Sequence, residues 1–197
     1  MRNRFLEVIA GIIRPIVHIV YPYRIRGAEN LPEGGAILCP NHVSMVDPVQ
    51  VVLAMGWRPI VRIMGKAELF QKKLLNWFFR KLGVFPVNRG GNDLTAMKTA
   101  LKSLQDGYKL LMFPEGTRVK EGEEGDAKGG AILFATRTGV PIVPIYCGSQ
   151  PKLFRRSTVI FGEPYYPKFA GRRPTAEEIK ALSEELLEKI YALKETV

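Results

Sequence analysis

Ala36-Ile37-Leu38-Cys39-Pro40 leads into Asn41-His42-Val43-Ser44-Met45-Val46-Asp47-Pro48. The first five residues are an apolar run that reads as a short buried strand ending at Pro40. A polar cluster follows, and Asp47-Pro48 opens a new apolar segment, Val49 to Met55. Asp followed by Pro suits the cap and first position of a helix. His42 therefore falls in a turn between a strand and a helix. In open α/β sheets that is where ligands bind, outside the carboxyl ends of the strands.

A neutral imidazole can take a proton from a hydroxyl near neutral pH. It does so well when a carboxylate fixes its tautomer and stabilises the imidazolium. On one regular helix His42 and Asp47 would stand about 140° apart at ~3.6 residues per turn. They meet if His42 lies in the turn and Asp47 at the helix start. The attacking hydroxyl then belongs to the substrate, and no Ser, Thr or Cys nucleophile is needed. The same residues also fit a plain helix cap and a histidine that satisfies a loop carbonyl, and spacing alone does not choose between these readings.

Around this turn, the 197-residue chain is long enough for one domain with a sizeable core. Its 29 Lys and Arg against 19 Asp and Glu leave a net charge of +10, which points to an anionic partner. Nucleic acid is the weakest such partner, since there is no zinc-ligand spacing, aromatic-basic RNA motif or helix-turn-helix signal. Cys39 and Cys147 both lie in apolar runs and read as reduced core residues of a cytosolic protein. No metal cluster is visible.

Upstream, residues 1–27 form a segment of their own. The mostly apolar stretch Phe5 to Val20 is shorter than the roughly 20 residues a membrane span needs. No small-residue cleavage site follows it, so a signal peptide fits poorly. Glu7, Gly11, Arg14 and His18 share one narrow helical stripe, and the rest is apolar apart from Pro15, where a kink or break is expected. With Arg2, Arg4, Arg24 and Arg26 flanking it, the segment reads as an amphipathic helix lying in a membrane interface. A helix packed on the domain is the alternative. His18 reads as a residue of the polar stripe, not a catalyst.

Downstream, residues 28–197 read as one catalytic domain. Strands are expected at Tyr23 to Gly27, Pro59 to Met64, Val84 to Val87, Lys109 to Phe113, Val140 to Cys147 (broken by its prolines) and Ser157 to Phe161. Lys66 to Leu82 reads as one or two helices with more bulky apolar residues than one core stripe needs; plain packing, an acyl-chain groove and lipid contact all fit. Asn92 or Asp93 caps a helix with Leu94, Met97, Leu101 and Leu104 on one face. Ala131 to Thr138 is a further helix. Thr175 and Glu178 form a capping box for a last helix with Ile179, Leu182, Leu186 and Ile190 inward. Strands alternating with helices give an α/β layered domain with a mostly parallel central sheet flanked by helices. Three strand ends carry polar residues: Asn41-His42, Asn88-Arg89 and Glu115-Gly116-Thr117-Arg118. In a parallel sheet these ends share one edge, and arginine suits phosphate by its paired donors.

Together these residues resemble the glycerolipid acyltransferase family, particularly its bacterial 1-acyl-sn-glycerol-3-phosphate acyltransferases. Four ordered blocks carry the resemblance: the NHxxxxD block Asn41 to Asp47; Gly83-Val84-Phe85-Pro86-Val87-Asn88-Arg89-Gly90; Phe113-Pro114-Glu115-Gly116-Thr117-Arg118; and the proline-containing Val140 to Ile145. The first and third are specific; the second and fourth would be weak alone. The resemblance implies transfer of an acyl chain from acyl-CoA or acyl carrier protein to the 2-hydroxyl of 1-acyl-sn-glycerol 3-phosphate (lysophosphatidate), giving phosphatidic acid. It implies His42 as general base, Asp47 as the residue that orients it, and Arg89, Arg118, Glu115, Gly116 and Thr117 on the substrate phosphate side. Asn41, Ser44, Lys66 and Lys128 are further candidates for substrate contact. No cofactor or metal is implied beyond the thioester co-substrate. The expected location is the cytoplasmic face of a membrane, with anionic lipid as a partner. The rivals are an acyltransferase for glycerol 3-phosphate or another lysophospholipid, a hydrolase using the same pair on water, and a non-catalytic peripheral lipid-binding module.

Overall fold

The computed structural model describes residues 4–56, 61–88, 93–119, 127–148 and 151–196. The strands are β1 (Tyr23–Arg26), β2 (Ala36–Pro40), β3 (Val61–Lys66), β4 (Val84–Val87), β5 (Lys109–Leu111), β6 (Ile142–Cys147) and β7 (Ser157–Phe161). The helices are α1 (Arg4–Val20), α2 (Asp47–Ala54), α3 (Lys73–Lys81), α4 (Leu94–Gln105), α5 (Gly130–Thr138) and α6 (Ala176–Ala192). All the strands join in one sheet of order β1-β7-β6-β2-β5-β3-β4. Every pairing is parallel except β6 with β7.

Helices on both faces explain why the central strands are continuous apolar runs instead of alternating ones. Successive β2 residues still point to opposite sides. Ile37 and Cys39 join Leu104, Leu110, Ile132, Leu186 and Ile190, while Ala36 and Leu38 join Val51, Leu53, Leu111, Val143 and Ile145. Because β2 to β6 run the same way, their carboxyl ends line one edge, and the His42 turn leaves from the middle of it.

Some local expectations shift. The chain stays in strand through Pro144, because the bonds to β2 fall on Pro141 and Ile145 while Pro144 faces β7. Its missing N–H therefore interrupts no pairing with β2. In α4, Leu94 is 61% exposed; Ala96, Ala100 and Leu104 form the buried line, and Met97 and Leu101 flank it. Two small alanines let α4 lie close to the sheet, and Leu94 falls on the opposite side. Asp93 caps this helix by accepting from the Ala96 N–H, and the capping box of α6 forms as expected. Val46, not Asp47, stands at the cap position of α2, and Asp47 is its first helical residue.

Within residues 1–27, β1 pairs with β7 at the sheet edge. α1 runs through Pro15 without a break. Leu6, Ala10, Ile13 and Val17 pack on the α2 side of the core. A second apolar line, Val8, Ile12, Ile16 and Ile19, is 55–66% exposed. Phe5 continues the contact to α3, edge-on to Trp77 and Phe78. Leu74 and Trp77 of α3 are themselves exposed, so its bulky residues are only partly core. Among the described residues no helix is long and apolar enough to cross a membrane.

Candidate active site

The eight residues after β2 fold back on one carboxylate. Asp47 is wholly buried. Its Oδ2 accepts the Val43 N–H (2.8 Å) and the Ser44 N–H (2.6 Å), and lies 3.1 Å from Nδ1 of His42. This is the side-chain-to-backbone turn that Asp forms readily, here made from the C-terminal side. A carboxylate can only accept, so it selects the tautomer with the proton on Nδ1. Nε2 is then the basic nitrogen, and it has no hydrogen-bond partner among the described residues. The remaining oxygen, Oδ1, is also unpartnered among them.

The loop after β5 holds His42 on three sides. The His42 N–H donates to Glu115 Oε2 at 2.9 Å, and its carbonyl accepts the Val119 N–H at 2.9 Å. Its ring stacks on Phe113, with centroids 3.8 Å apart and planes 23° apart. Glu115 is buried, and its Oε1 accepts the Tyr191 hydroxyl at 2.7 Å. Burial raises the Glu115 carboxyl above its usual range; the hydrogen bonds from Tyr191 and the His42 N–H oppose that rise without cancelling it. Gly116 turns the loop with φ +69°, a conformation open to glycine. A Cβ there would lie 3.3 Å from Cγ of Lys128, so the Lys128 side chain passes over this glycine.

Asn41 was expected among the substrate contacts, but it is buried and bound elsewhere. Its Nδ2 donates to the Cys147 carbonyl (3.0 Å) and its Oδ1 accepts the Cys147 N–H (2.6 Å), so it ties the ends of β2 and β6 together. Glu115 is likewise committed to His42 and Tyr191, and a buried carboxylate is a poor partner for phosphate. Ser44 Oγ accepts the Val46 N–H (3.2 Å) inside the turn. Lys66 ends β3, on the far side of β5 from β2, and pairs with Glu68 at 2.9 Å on the surface. Thr117, Arg118 and Lys128 are exposed around the Gly116 turn. Arg89 lies outside the described residues. Cys39 and Cys147 are buried, and burial pushes both thiols up, away from the thiolate a nucleophile needs.

Sequence reading missed Tyr191 because it lies in α6, far from every block. The usable signal is a tyrosine next to inward-facing Ile190, since a hydroxyl on a core helix needs a partner.

A sequence profile for the family described as Acyltransferase matches residues 22–148, the span that contains this whole arrangement apart from Tyr191. The 1-acyl-sn-glycerol-3-phosphate acyltransferase of Bacillus subtilis is 31% identical over 94% of this chain and 94% of its own length. The enzyme of the same name from Streptococcus pneumoniae is 34% identical, over 55% of this chain and 40% of its own. The crystal structure of the 1-acyl-sn-glycerophosphate (LPA) acyltransferase PlsC from Thermotoga maritima superposes with a TM-score of 0.71. That match covers 98% of this chain and 79% of the other at 24% identity, a likeness of fold. With the profile spanning the sheet edge that carries His42 and Asp47, and a full-length relative above 30% identity, the chain belongs to the acyltransferase family.

Proposed function

We propose that this chain transfers an acyl group from a thioester, acyl-CoA or acyl carrier protein, to the 2-hydroxyl of 1-acyl-sn-glycerol 3-phosphate, giving phosphatidic acid. The observation that carries the reading is the buried His42–Asp47 pair with Nε2 left without a partner. The names of the relatives supply the acceptor. His42 Nε2 takes the hydroxyl proton as the oxygen attacks the thioester carbonyl. Asp47 holds the ring and balances the imidazolium. The tetrahedral oxyanion collapses, the thiolate leaves, and the proton passes from His42 to the departing sulfur. Neither buried cysteine is needed for an acyl-enzyme.

Arg118, Thr117 and Lys128 surround the glycine turn next to this base and suit the acceptor's phosphate, Arg118 by paired donors and Lys128 as a point charge. Arg89, from the second block, is assigned the same phosphate role on the resemblance alone, since it lies outside the described residues. The exposed apolar line of α1 lies in the interface of the cytoplasmic face of a membrane, where the acyl chains of the acceptor reside.

The test is thiol release from long-chain acyl-CoA, and from acyl carrier protein, with and without lysophosphatidate in detergent micelles. Release that requires the acceptor and disappears in His42→Ala is the expected result. Release without acceptor would make the chain a thioesterase. Release with glycerol 3-phosphate in place of lysophosphatidate would change the acceptor, and silence with both donors would overturn the reading.

A further inference from the structure

The segment Pro151-Lys152-Leu153-Phe154-Arg155-Arg156 precedes β7 and lies beyond all four sequence blocks. Leu153 is 58% and Phe154 71% exposed. Phe154 has φ +60°, and it is the only non-glycine residue with positive φ among the described residues. That region is costly for a bulky side chain and is normally given to Gly or Asn. A bulky residue held in this region is a reason to ask what its exposed side chain does.

The turn is held in place by named bonds. The Phe154 N–H donates to the Val20 carbonyl (2.8 Å), Arg155 N–H to Lys152 (3.1 Å) and Ser157 N–H to Pro22 (2.9 Å). Leu153 and Phe154 are therefore presented at the C-terminal end of α1, where its exposed line finishes at Ile19. Lys152, Arg155 and Arg156 are exposed and pair with no carboxylate among the described residues, and the segment itself contains no acid. Exposed apolar side chains ringed by unpaired cations match an anionic lipid interface by both polarity and charge.

Topology puts this patch beside the chemistry. β6 ends at the reacting edge, where Cys147 is bound by Asn41. β7 runs back from that edge, so its first residue, Ser157, lies there too, and β1 pairs with it from Tyr23↔Ser157 onward. The Gln50 side chain, from the helix that Asp47 begins, donates to Ser157 Oγ at 3.1 Å and to the Tyr21 carbonyl at 3.4 Å. The base of the turn, the end of α1 and the catalytic helix thus meet at one residue.

We propose that residues 151–156 are a second membrane-docking element. Leu153 and Phe154 enter the interface of an anionic phospholipid bilayer, and Lys152, Arg155 and Arg156 hold lipid phosphates. This rests on the reading of α1 as an interface helix and adds a contact at its end. One helix in the interface leaves the body free to tilt. A second contact, joined to α2 through Gln50, seats the reacting edge on the bilayer.

Co-sedimentation with phosphatidylcholine vesicles, with and without phosphatidylglycerol, tests this using full-length protein. Leu153→Ser with Phe154→Gly should weaken partitioning about tenfold per side chain removed. Lys152→Gln, Arg155→Gln and Arg156→Gln together should abolish the preference for anionic vesicles, at about fivefold per charge. Phe154→Gly, which relieves the positive φ, should melt at or above the wild-type temperature, and acyl transfer to acceptor in detergent micelles should be unchanged. A loop variant that binds vesicles like wild type overturns the proposal. Ile12→Ser with Ile16→Ser separates the two readings: loss of binding in that variant alone leaves α1 as the sole anchor, and wild type that fails to bind any vesicle overturns both. Dimerisation in solution that the loop substitutions abolish would assign the patch to a second copy of the chain.

Discussion

Each end of the central strands buries a charge, and the two ends do opposite things with it. At the amino end, Lys109 of β5 is paired in register with Ala36 of β2 and is 4% exposed. Its Nζ donates to the Pro32 and Gly34 carbonyls of the loop that enters β2. Burial lowers its pKa, with the charge of Glu33 opposing. At the carboxyl end, Asp47 accepts two amides and the His42 ring. Both groups close a loop against the sheet. The lysine's bonds end on backbone. Two of the aspartate's bonds also end on backbone, but the third ends on an imidazole whose second nitrogen has no partner among the described residues. Here the charge bonded only to backbone is a structural tie, and the one that also reaches a group with spare chemistry marks the candidate site.

The largest effect expected is at the carboxyl end. His42→Ala and Asp47→Asn should each lower turnover by about 10² to 10⁴, the usual range for a positioned general base, with circular dichroism unchanged. The double variant should lose little more than His42→Ala, because the pair acts as a unit. Losses that multiply would show two independent roles. Lys109→Met should do the reverse. Leaving two carbonyls without their donor costs about 1 to 3 kcal/mol, and a chain of this size shifts its melting temperature by about 2 to 4 °C per kcal/mol. Activity per folded molecule should not change. A Lys109 variant that melts normally but turns over slowly would break the contrast between the two ends.

A smaller effect is expected at Arg118. Arg118→Gln should raise KM for the phosphorylated acceptor about tenfold, the equivalent of one charge-assisted hydrogen bond, and leave kcat nearly alone. Unchanged kinetics would reject the phosphate assignment. The smallest effect concerns Glu115, which links the His42 backbone to Tyr191. Its folded pKa is raised, so folding favours the protonated form. That contribution is complete below the unfolded value of about 4.3 and is lost as pH climbs through the folded value. Glu115→Gln keeps an acceptor for the His42 N–H and does not titrate. Urea midpoints should show wild type losing ground to this variant between pH 4 and pH 7.5; a gap that stays constant would remove the buried-carboxylate account.

Much of this is legible in the sequence. Apolar runs ending at Pro40, Val87 and Phe113 with polar residues after them imply parallel strands with a shared edge, and the sheet is parallel there. The capping signals of α4 and α6 were also legible, because a cap is satisfied within four residues of its own position. Asn41 misled. Its type and place suit a ligand contact, and nothing local shows that Cys147, more than a hundred residues on, would take both of its amide atoms. Leu94 misled for a related reason: a helical period identifies a face, but the partner's shape decides which face goes inward.

What the sequence determined by itself was the alternation of strand and helix, the strand-end position of the turn, the four blocks and the excess of positive charge. These depend on period, composition and neighbouring residues. Only the tertiary structure decided that Asp47 reaches back to His42 instead of capping α2, that Tyr191 supports Glu115, and that α1 keeps one apolar line uncovered beside Phe154. Each of those depends on contacts between residues distant in the chain or on the direction a side chain takes. Chain order carries no such distance; packing and the need to satisfy buried polar groups set it.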